Sequence, residues 1–281
     1  MQPLLSVVTA TYRDPGGLRR TIQSLSGLSG FESWEHIIVD SSPEESAPAL
    51  AGIAVDHPLR LVVAAPRGIY AAMNEGLNVA SGRWVWFLNG GDRAFQPNEL
   101  VSALEREDAT VAVHGLLGRA RYFRDGKYAY TDVPKTPWWR GLLGACHLCQ
   151  QSVFWRREVF QRVGCFNEDY TLAGDYEHHI RCWLDGLRVK MLQQEVCEFD
   201  RGGRSETLKS FDEYRTIHAR LGGGLPLGLR IVMRSEWSRQ YYLARLVYRV
   251  KDTSAAEHLR PLWWRYQRVK GLLRSFLRNG T

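Results

Sequence analysis

Two carboxylates stand where chemistry could be done. The stretch Trp84-Val85-Trp86-Phe87-Leu88-Asn89-Gly90-Gly91-Asp92 is apolar for five residues, then turns polar and delivers Asp92 behind two glycines. His36-Ile37-Ile38-Val39-Asp40-Ser41-Ser42-Pro43 repeats the pattern and stops on Asp40. A short apolar run bounded by turn residues describes a strand buried on both faces. In open α/β sheets, ligands gather beyond the carboxyl ends of such strands. Two acidic endings on one rim suit a nucleotide. One carboxylate can accept from a base N–H or a ribose hydroxyl, and the other can hold a divalent cation against a diphosphate. Each ending also reads as a plain polar turn, Asp-Ser-Ser-Pro above all. The chain has no G-x-x-x-x-G-K-S/T loop and no G-x-G-x-x-G after its first strand, so neither the P-loop nor the dinucleotide fingerprint applies.

The elements that must position these carboxylates follow from hydrophobic spacing. Residues 4–10 form a strand, 12–17 a loop, and 18–25 a helix with Leu18, Ile22 and Leu25 on one face. Residues 59–64 are a third strand, and 68–77 a helix with Ile69, Met73 and Leu77 on one stripe. Strand, helix, strand, strand, helix, strand at this spacing predicts an α/β fold, a mostly parallel central sheet flanked by helices.

The 281 residues allow one large domain or a domain with an appendage, and 44% hydrophobic content supports a substantial core. No stretch reaches the ~18 apolar residues of a membrane span. The N-terminus lacks the basic region and cleavage pattern of a signal peptide. The five cysteines then read as reduced thiols in a cytoplasmic setting. Charge is unevenly placed. Residues 206–281 hold 15 Lys/Arg against six Asp/Glu, while the preceding 205 hold 22 against 24. The excess positive charge divides the chain into 1–205 and a basic extension, 206–281, suited to an anionic surface.

Several ordered motifs together carry a resemblance. Ser6-Val7-Val8-Thr9-Ala10-Thr11-Tyr12, Ile38-Val39-Asp40-Ser41-Ser42, Arg67-Gly68-Ile69-Tyr70-Ala71-Ala72-Met73-Asn74-Glu75-Gly76 and Trp86-Phe87-Leu88-Asn89-Gly90-Gly91-Asp92 resemble family 2 glycosyltransferases of the GT-A fold. The bacterial exopolysaccharide, capsule and lipopolysaccharide transferases are the nearest in flavour. The likeness covers roughly residues 4–205 and includes Ala173-Gly174-Asp175-Tyr176-Glu177-His178-His179 and Phe199-Asp200-Arg201-Gly202-Gly203-Arg204-Ser205.

The resemblance implies a nucleotide-sugar donor, a divalent metal (Mn²⁺ or Mg²⁺) and inversion at the anomeric carbon. It implies donor-side roles for Thr9, Thr11, Tyr12, Asp40, Arg67, Gly68, Asn74, Asn89 and Gly91, and metal contact by Asp92. The catalytic base is then Asp175, with Gln151, Glu177 and His179 on the acceptor side. Spacing is compatible with the base. Tyr176, Ile180, Trp183, Leu184 and Leu187 make a buried stripe, and Asp175 lies beside it at the helix start. There it can take a hydroxyl proton, or it can be a first-turn Asp with a structural role. Glu177, the alternative base, points roughly 200° away around the helix. His178 and His179 are within side-chain reach of Asp175, and they also suit simple packing. Cys146-His147-Leu148-Cys149 lacks the second pair that a zinc site needs.

The chain departs from the family pattern at several places. No acidic residue occurs in Ala64-Ala65-Pro66-Arg67, Ala71 replaces an Asp, and Gln150-Gln151 replaces His-Gln. The metal motif keeps one carboxylate, Asp92. These changes leave the donor's base and sugar open.

In the basic extension, Leu243, Leu246, Val247 and Val250, then Leu262, Tyr266, Val269, Leu273 and Phe276, recur at helical spacing opposite Arg and Lys. Residues 237–278 therefore read as an interfacial amphipathic helix at an anionic membrane surface, or as a helix packed on the catalytic domain. Nucleic acid is not the expected partner. The expected reaction moves a sugar from a nucleotide-sugar, UDP-linked in the leading reading, to a glycan or lipid-linked saccharide at the inner face of the plasma membrane. The alternatives are a sugar-phosphate nucleotidyltransferase, with Arg13, Gly16, Gly17, Arg19 and Arg20 as its triphosphate loop, or a catalytically silent nucleotide-sugar-binding protein.

Overall fold

The computed structural model describes residues 2–26, 28, 33–51, 57–108, 113–124, 126–134, 137–143, 148–201 and 208–225, and a few between 227 and 238. Two compact units are present, Met1–Leu225 and Pro226–Thr281. Apart from Ser238, the proposed amphipathic stretch 237–278 lies outside the described residues, as do Cys146, His147 and the glycine-rich 202–205.

The first unit opens with β1 (Leu5–Thr11), α1 (Pro15–Leu25), β2 (Trp34–Asp40), α2 (Pro43–Ala51), β3 (Leu59–Val63), α3 (Ile69–Val79) and β4 (Trp84–Phe87). It continues with β5 (Arg93–Ala94), α4 (Pro97–Asp108), β6 (Gly115–Arg124), β7 (Lys127–Thr131) and β8 (Val153–Arg156). It ends with α5 (Glu158–Val163), α6 (Gly174–Leu184), β9 (Val189–Arg201) and α7 (Leu208–Leu221). The strands form one sheet in the order β3-β2-β1-β4-β8-β6-β9-β5, with β7 on β6. The first four are mutually parallel, as the spacing predicts. Beyond β4 the sheet becomes mixed, because β8 runs antiparallel to both β4 and β6.

Residue chemistry explains the central strands. β1 and β4 are buried along their whole length, so each is an unbroken apolar run. α1 starts earlier than its hydrophobic stripe suggests. Asp14 caps it by accepting from the Gly17 amide at 2.7 Å, and Pro15 occupies the first turn. Gly16 and Gly17 are therefore helical rather than part of a triphosphate loop. α3 lies close on β1, where a Cβ at Gly76 would stand 2.3 Å from Val8 Cγ1.

The stripe expected on α6 is only partly buried. Tyr176 and Ile180 are enclosed, but Leu184 is 39% exposed and Trp183 stacks half-buried on Trp139. Glu177, His178, His179 and Cys182 are buried in their place. The helix is covered on several sides, by Phe160 of α5, Trp155 of β8 and Tyr214 of α7. A single amphipathic stripe therefore describes it poorly. α7 lies beyond the 205/206 boundary expected from charge, yet the first compact unit includes it and extends to Leu225.

Candidate active site

The carboxyl ends of β1, β2 and β4 make the rim. Thr11 pairs with Asp40 in register, and the β1–β4 ladder is prolonged by Leu88 N–H to Val8 O at 3.0 Å and Gly90 N–H to Ala10 O at 2.9 Å. The chain then reverses, with Asp92 N–H on Asn89 O at 3.0 Å and Gly91 at φ +101°, a conformation that favours glycine. Thr21 of α1 supports this turn from below. Its hydroxyl donates to Asp92 O at 2.7 Å and accepts from Gly91 N–H at 3.0 Å. Sequence reasoning gave no signal for Thr21, because a mid-helix threonine carries none.

Asp92 is half-buried as a residue, with its carboxyl group enclosed. Burial pushes the carboxyl up to about 7, against donation from Gln151 and the Asn89 amide. Gln151 Nε2–H reaches Asp92 Oδ2 at 2.8 Å. Gln151 is itself fixed, accepting from Cys149 Sγ at 3.1 Å on Oε1 and from the Trp86 indole at 2.7 Å on its carbonyl. Gln151, expected on the acceptor side, thus orients the Asp92 carboxylate. Asn89 Oδ1 is buried with no partner. Among the described residues no three His, Cys, Asp or Glu side chains gather to cage a metal. One carboxylate and one orphaned amide oxygen do suit a hard cation that keeps most of its ligands from phosphate and water.

Asp40 is fully buried. Its Oδ1 accepts from Ser42 N–H at 2.8 Å, while Oδ2 is enclosed without a partner. A buried carboxylate oxygen left unpartnered at the rim has its accepting capacity to spare for an N–H or O–H donor. Tyr12 is 39% exposed beside it, and the Thr11 hydroxyl is buried and unpaired. Thr9, read from sequence as donor-side, turns inward. Its hydroxyl bridges Leu88 O at 2.7 Å and His36 Nε2 at 2.9 Å, tying β1 to both neighbouring strands.

Arg67 and Asn74, also read as donor-side, have protein partners. Arg67 pairs with Glu75 at 2.8 Å and Glu168 at 2.9 Å. The Asn74 amide makes both hydrogen bonds of the Phe166 backbone, at 2.9 and 3.0 Å, and also reaches Glu168. Together they fasten α3 to the loop that leads into α6. Gly68, at φ +115°, precedes α3 and has open space where a Cβ would project.

Asp175 lies in the first turn of α6. Its Oδ1 accepts from the Tyr70 hydroxyl at 3.0 Å and from Tyr176 N–H at 2.9 Å. Burial raises this carboxyl above the usual range, and the Tyr176 and Tyr70 hydrogen bonds work in the opposite direction. Gly174 permits the arrangement, since a Cβ there would stand 2.8 Å from the Tyr70 ring. Glu177 is buried and gives its carboxylate to Arg181 at 2.9 Å. His179 is buried beside Trp155 with neither ring nitrogen bonded, and burial lowers it to about 3. His178 lies among Phe160, Phe166 and Trp155. All three side chains are buried within the fold.

A mixed sheet flanked by helices, with its polar turn beyond β4, is the GT-A glycosyltransferase fold. The chain belongs to glycosyl transferase family 2, whose model matches residues 6–164. A PGL/p-HBAD biosynthesis glycosyltransferase of Mycobacterium bovis is 26% identical over 248 residues, covering 84% of this chain and 92% of the relative. Among solved structures, Staphylococcus aureus TarS 1-349 in complex with UDP-GlcNAc aligns with TM-score 0.61 at 16% identity. That alignment covers 76% of this chain and 65% of TarS 1-349, so the chain spans slightly less than two thirds of that protein. The mannosyltransferase PcManGT of Pyrobaculum calidifontis, in complex with GDP-Man and Mn²⁺, aligns with TM-score 0.63 at 16% identity over 95% of this chain and 81% of its own. At this identity the two structures speak to the fold.

Proposed function

We propose that this glycosyltransferase moves a sugar from a nucleotide-sugar, UDP-linked first, to a hydroxyl of a glycan or lipid-linked saccharide, with inversion. The observation that carries the reading is a pair of enclosed carboxylates. Asp92 and Asp175 are both raised by burial, and each is held on one oxygen by a neutral donor, Gln151 for Asp92 and Tyr70 for Asp175. The complexes of TarS with UDP-GlcNAc and of PcManGT with GDP-Man and Mn²⁺ support a nucleotide-sugar and a divalent cation here.

The unpartnered Oδ2 of Asp40 accepts from the nucleobase, and the half-exposed Tyr12 follows Thr11 at the same strand ends. Asn89, Gly91 and Asp92 face the diphosphate. Asp92 and the Asn89 amide oxygen would hold a divalent cation, which would supply charge neutralisation for the leaving diphosphate. Asp175 takes the proton of the acceptor hydroxyl as that oxygen bonds to the anomeric carbon. The bond from that carbon to the diphosphate breaks, and its electron pair leaves with the nucleotide.

The experiment is a panel of UDP- and GDP-sugars, with and without Mn²⁺, read as nucleoside diphosphate release. Release dependent on Asp92 supports the reading. Pyrophosphate release from a sugar phosphate and a nucleoside triphosphate would instead indicate nucleotidyl transfer. Tight nucleotide binding with no turnover or donor hydrolysis would indicate a silent binder.

For the basic extension we propose contact with the anionic inner face of the plasma membrane through residues 237–278, where the acceptor would be lipid-linked. Among the described residues no helix is long and apolar enough to cross a membrane. Co-sedimentation with anionic liposomes should be lost in a chain ending at Leu225, and unchanged binding would sink the idea. Truncation at 205 is unsuitable for this test because it removes α7 from the first unit.

A further inference from the structure

α7 begins over forty residues beyond the stretch that the family model matches, yet it reaches the proposed base. Glu213 on this helix accepts four hydrogen bonds from one short segment. Oε1 takes Thr171 N–H at 2.8 Å and the Thr171 hydroxyl at 2.6 Å. Oε2 takes Leu172 N–H at 2.9 Å and Ala173 N–H at 2.8 Å. Three successive amides pointing at one anion form a backbone nest. Ala173 is the N-cap of α6 and has no side-chain oxygen to satisfy the helix start. Glu213, 40 positions later, instead holds the Ala173 amide and those of the two residues before it.

The bonds to Thr171, Leu172 and Ala173 outweigh burial and hold the Glu213 carboxyl below its ordinary range, so it is an anion at neutral pH. The rest of α7 braces the same helix. The Tyr176 hydroxyl donates to Leu142 O at 2.9 Å and lies 2.7 Å from His218 Nε2, while Tyr214 meets the Tyr176 ring edge-on at 4.9 Å. Tyr176 directly follows Asp175 and gives it a backbone hydrogen bond. Among the described residues, the Tyr176 amide that orients Asp175 therefore belongs to a segment clamped by α7, and Tyr70 reaches Asp175 from α3.

We propose that Glu213 is a positioning residue for glycosyl transfer: by gathering the 171–173 amides it fixes the start of α6, so that Asp175 meets the acceptor hydroxyl. The proposal rests on the reading of Asp175 as the base. The hydrogen bonds of Glu213 go to residues 171–173 and not to the rim strands, so its loss should act on the chemical step and spare nucleotide binding. Its negative charge also favours the protonated form of Asp175. The other ionisable groups on the elements around Asp175 are Tyr70 from α3 and, on α6, Glu177 paired with Arg181 and the buried His178 and His179, both of which burial keeps uncharged. His218 of α7 is turned toward the Tyr176 hydroxyl.

The test compares full-length wild type, Glu213→Gln and Thr171→Val. Glu213→Gln removes the charge and leaves an NH₂ facing two amides. Its kcat should fall about tenfold or more, the scale of a lost charged hydrogen bond, with donor KM and nucleotide Kd unchanged. The acid limb of its kcat profile should move to lower pH, because a negative neighbour of Asp175 is gone; loosening alone would not shift it that way. Thr171→Val removes one of the four bonds at an exposed site and should lower kcat severalfold with KM unchanged. This second variant decides the matter if Glu213→Gln does not fold. Wild-type kcat in both variants overturns the proposal, and so does a Glu213→Gln defect confined to donor KM. If Asp175 is not the base, Asp175→Asn stays active whatever Glu213 does. If only this inference fails, Asp175→Asn is inactive while the Glu213 and Thr171 variants behave as wild type.

Discussion

The Tyr70 hydroxyl donates to Asp175 Oδ1 at 3.0 Å, across 105 positions of sequence. One bond thus joins α3, which is packed on the parallel strands, to the first turn of α6. Tyr70 sits in the motif that opens α3, so the two halves of the proposed reaction, nucleotide rim and base, are mechanically connected. The bond favours the carboxylate, the form a base must have, against the burial that disfavours it.

Tyr70→Phe should therefore raise the Asp175 pKa further. Activity on the acid limb should fall by about tenfold, the value of one hydrogen bond to a charged group, and recover as pH rises. A kcat profile with its acid limb shifted upward is the check, and an unshifted limb contradicts the role of Tyr70.

Thr21→Val keeps shape but strips the hydroxyl from beneath the Asn89–Asp92 turn. Gly91 N–H and Asp92 C=O then lose a partner, costing about 1–3 kcal/mol in stability. Mn²⁺-dependent nucleotide affinity, measured by calorimetry, should weaken while nucleotide affinity without metal changes less. Equal affinity with metal would argue against this support.

Gly76→Ala places a methyl group 2.3 Å from Val8 Cγ1 and 3.1 Å from Val39 Cγ2. The forced shift of α3 off β1 should cost about 1–3 kcal/mol, more than the helix propensity gained, and lower Tm by a few degrees. An unchanged or higher Tm would show that α3 can slide without cost.

Asp175 also carries a stability prediction. Its folded pKa is raised above the unfolded value, so the folded state binds the extra proton between the two values. Stability contributed by the protonated form is present at low pH and is lost as pH rises through the folded pKa. Asp175→Asn, neutral throughout, should be more stable than wild type at neutral pH, with the gap closing on acidification. Tm against pH for both proteins measures it, and a gap that widens toward acid has the wrong sign.

Much of the rim was legible because burial writes itself into strands as uninterrupted apolar runs. β1 and β4, and the Asp40 and Asp92 that end their neighbourhood, came from that pattern. The loop read at Gly16 and Gly17 proved helical because the Asp14 cap and Pro15 outweigh two glycines. Thr9 lies in a strand whose every side chain is buried, so strand residence alone could not show that its hydroxyl faces inward. The burial of Glu177 and His179 was hidden because α6 is covered on more than one side. Thr21, Tyr70 and Glu213 act through hydrogen bonds between segments far apart in sequence, and no local spacing encodes those.

The central claim is that Asp175 is the base, and turnover of Asp175→Asn beside its nucleotide affinity tests it most directly. The account predicts kcat lower by about 10²–10⁴, the usual worth of a positioned base, with nucleotide Kd unchanged. A wild-type rate in Asp175→Asn would contradict it.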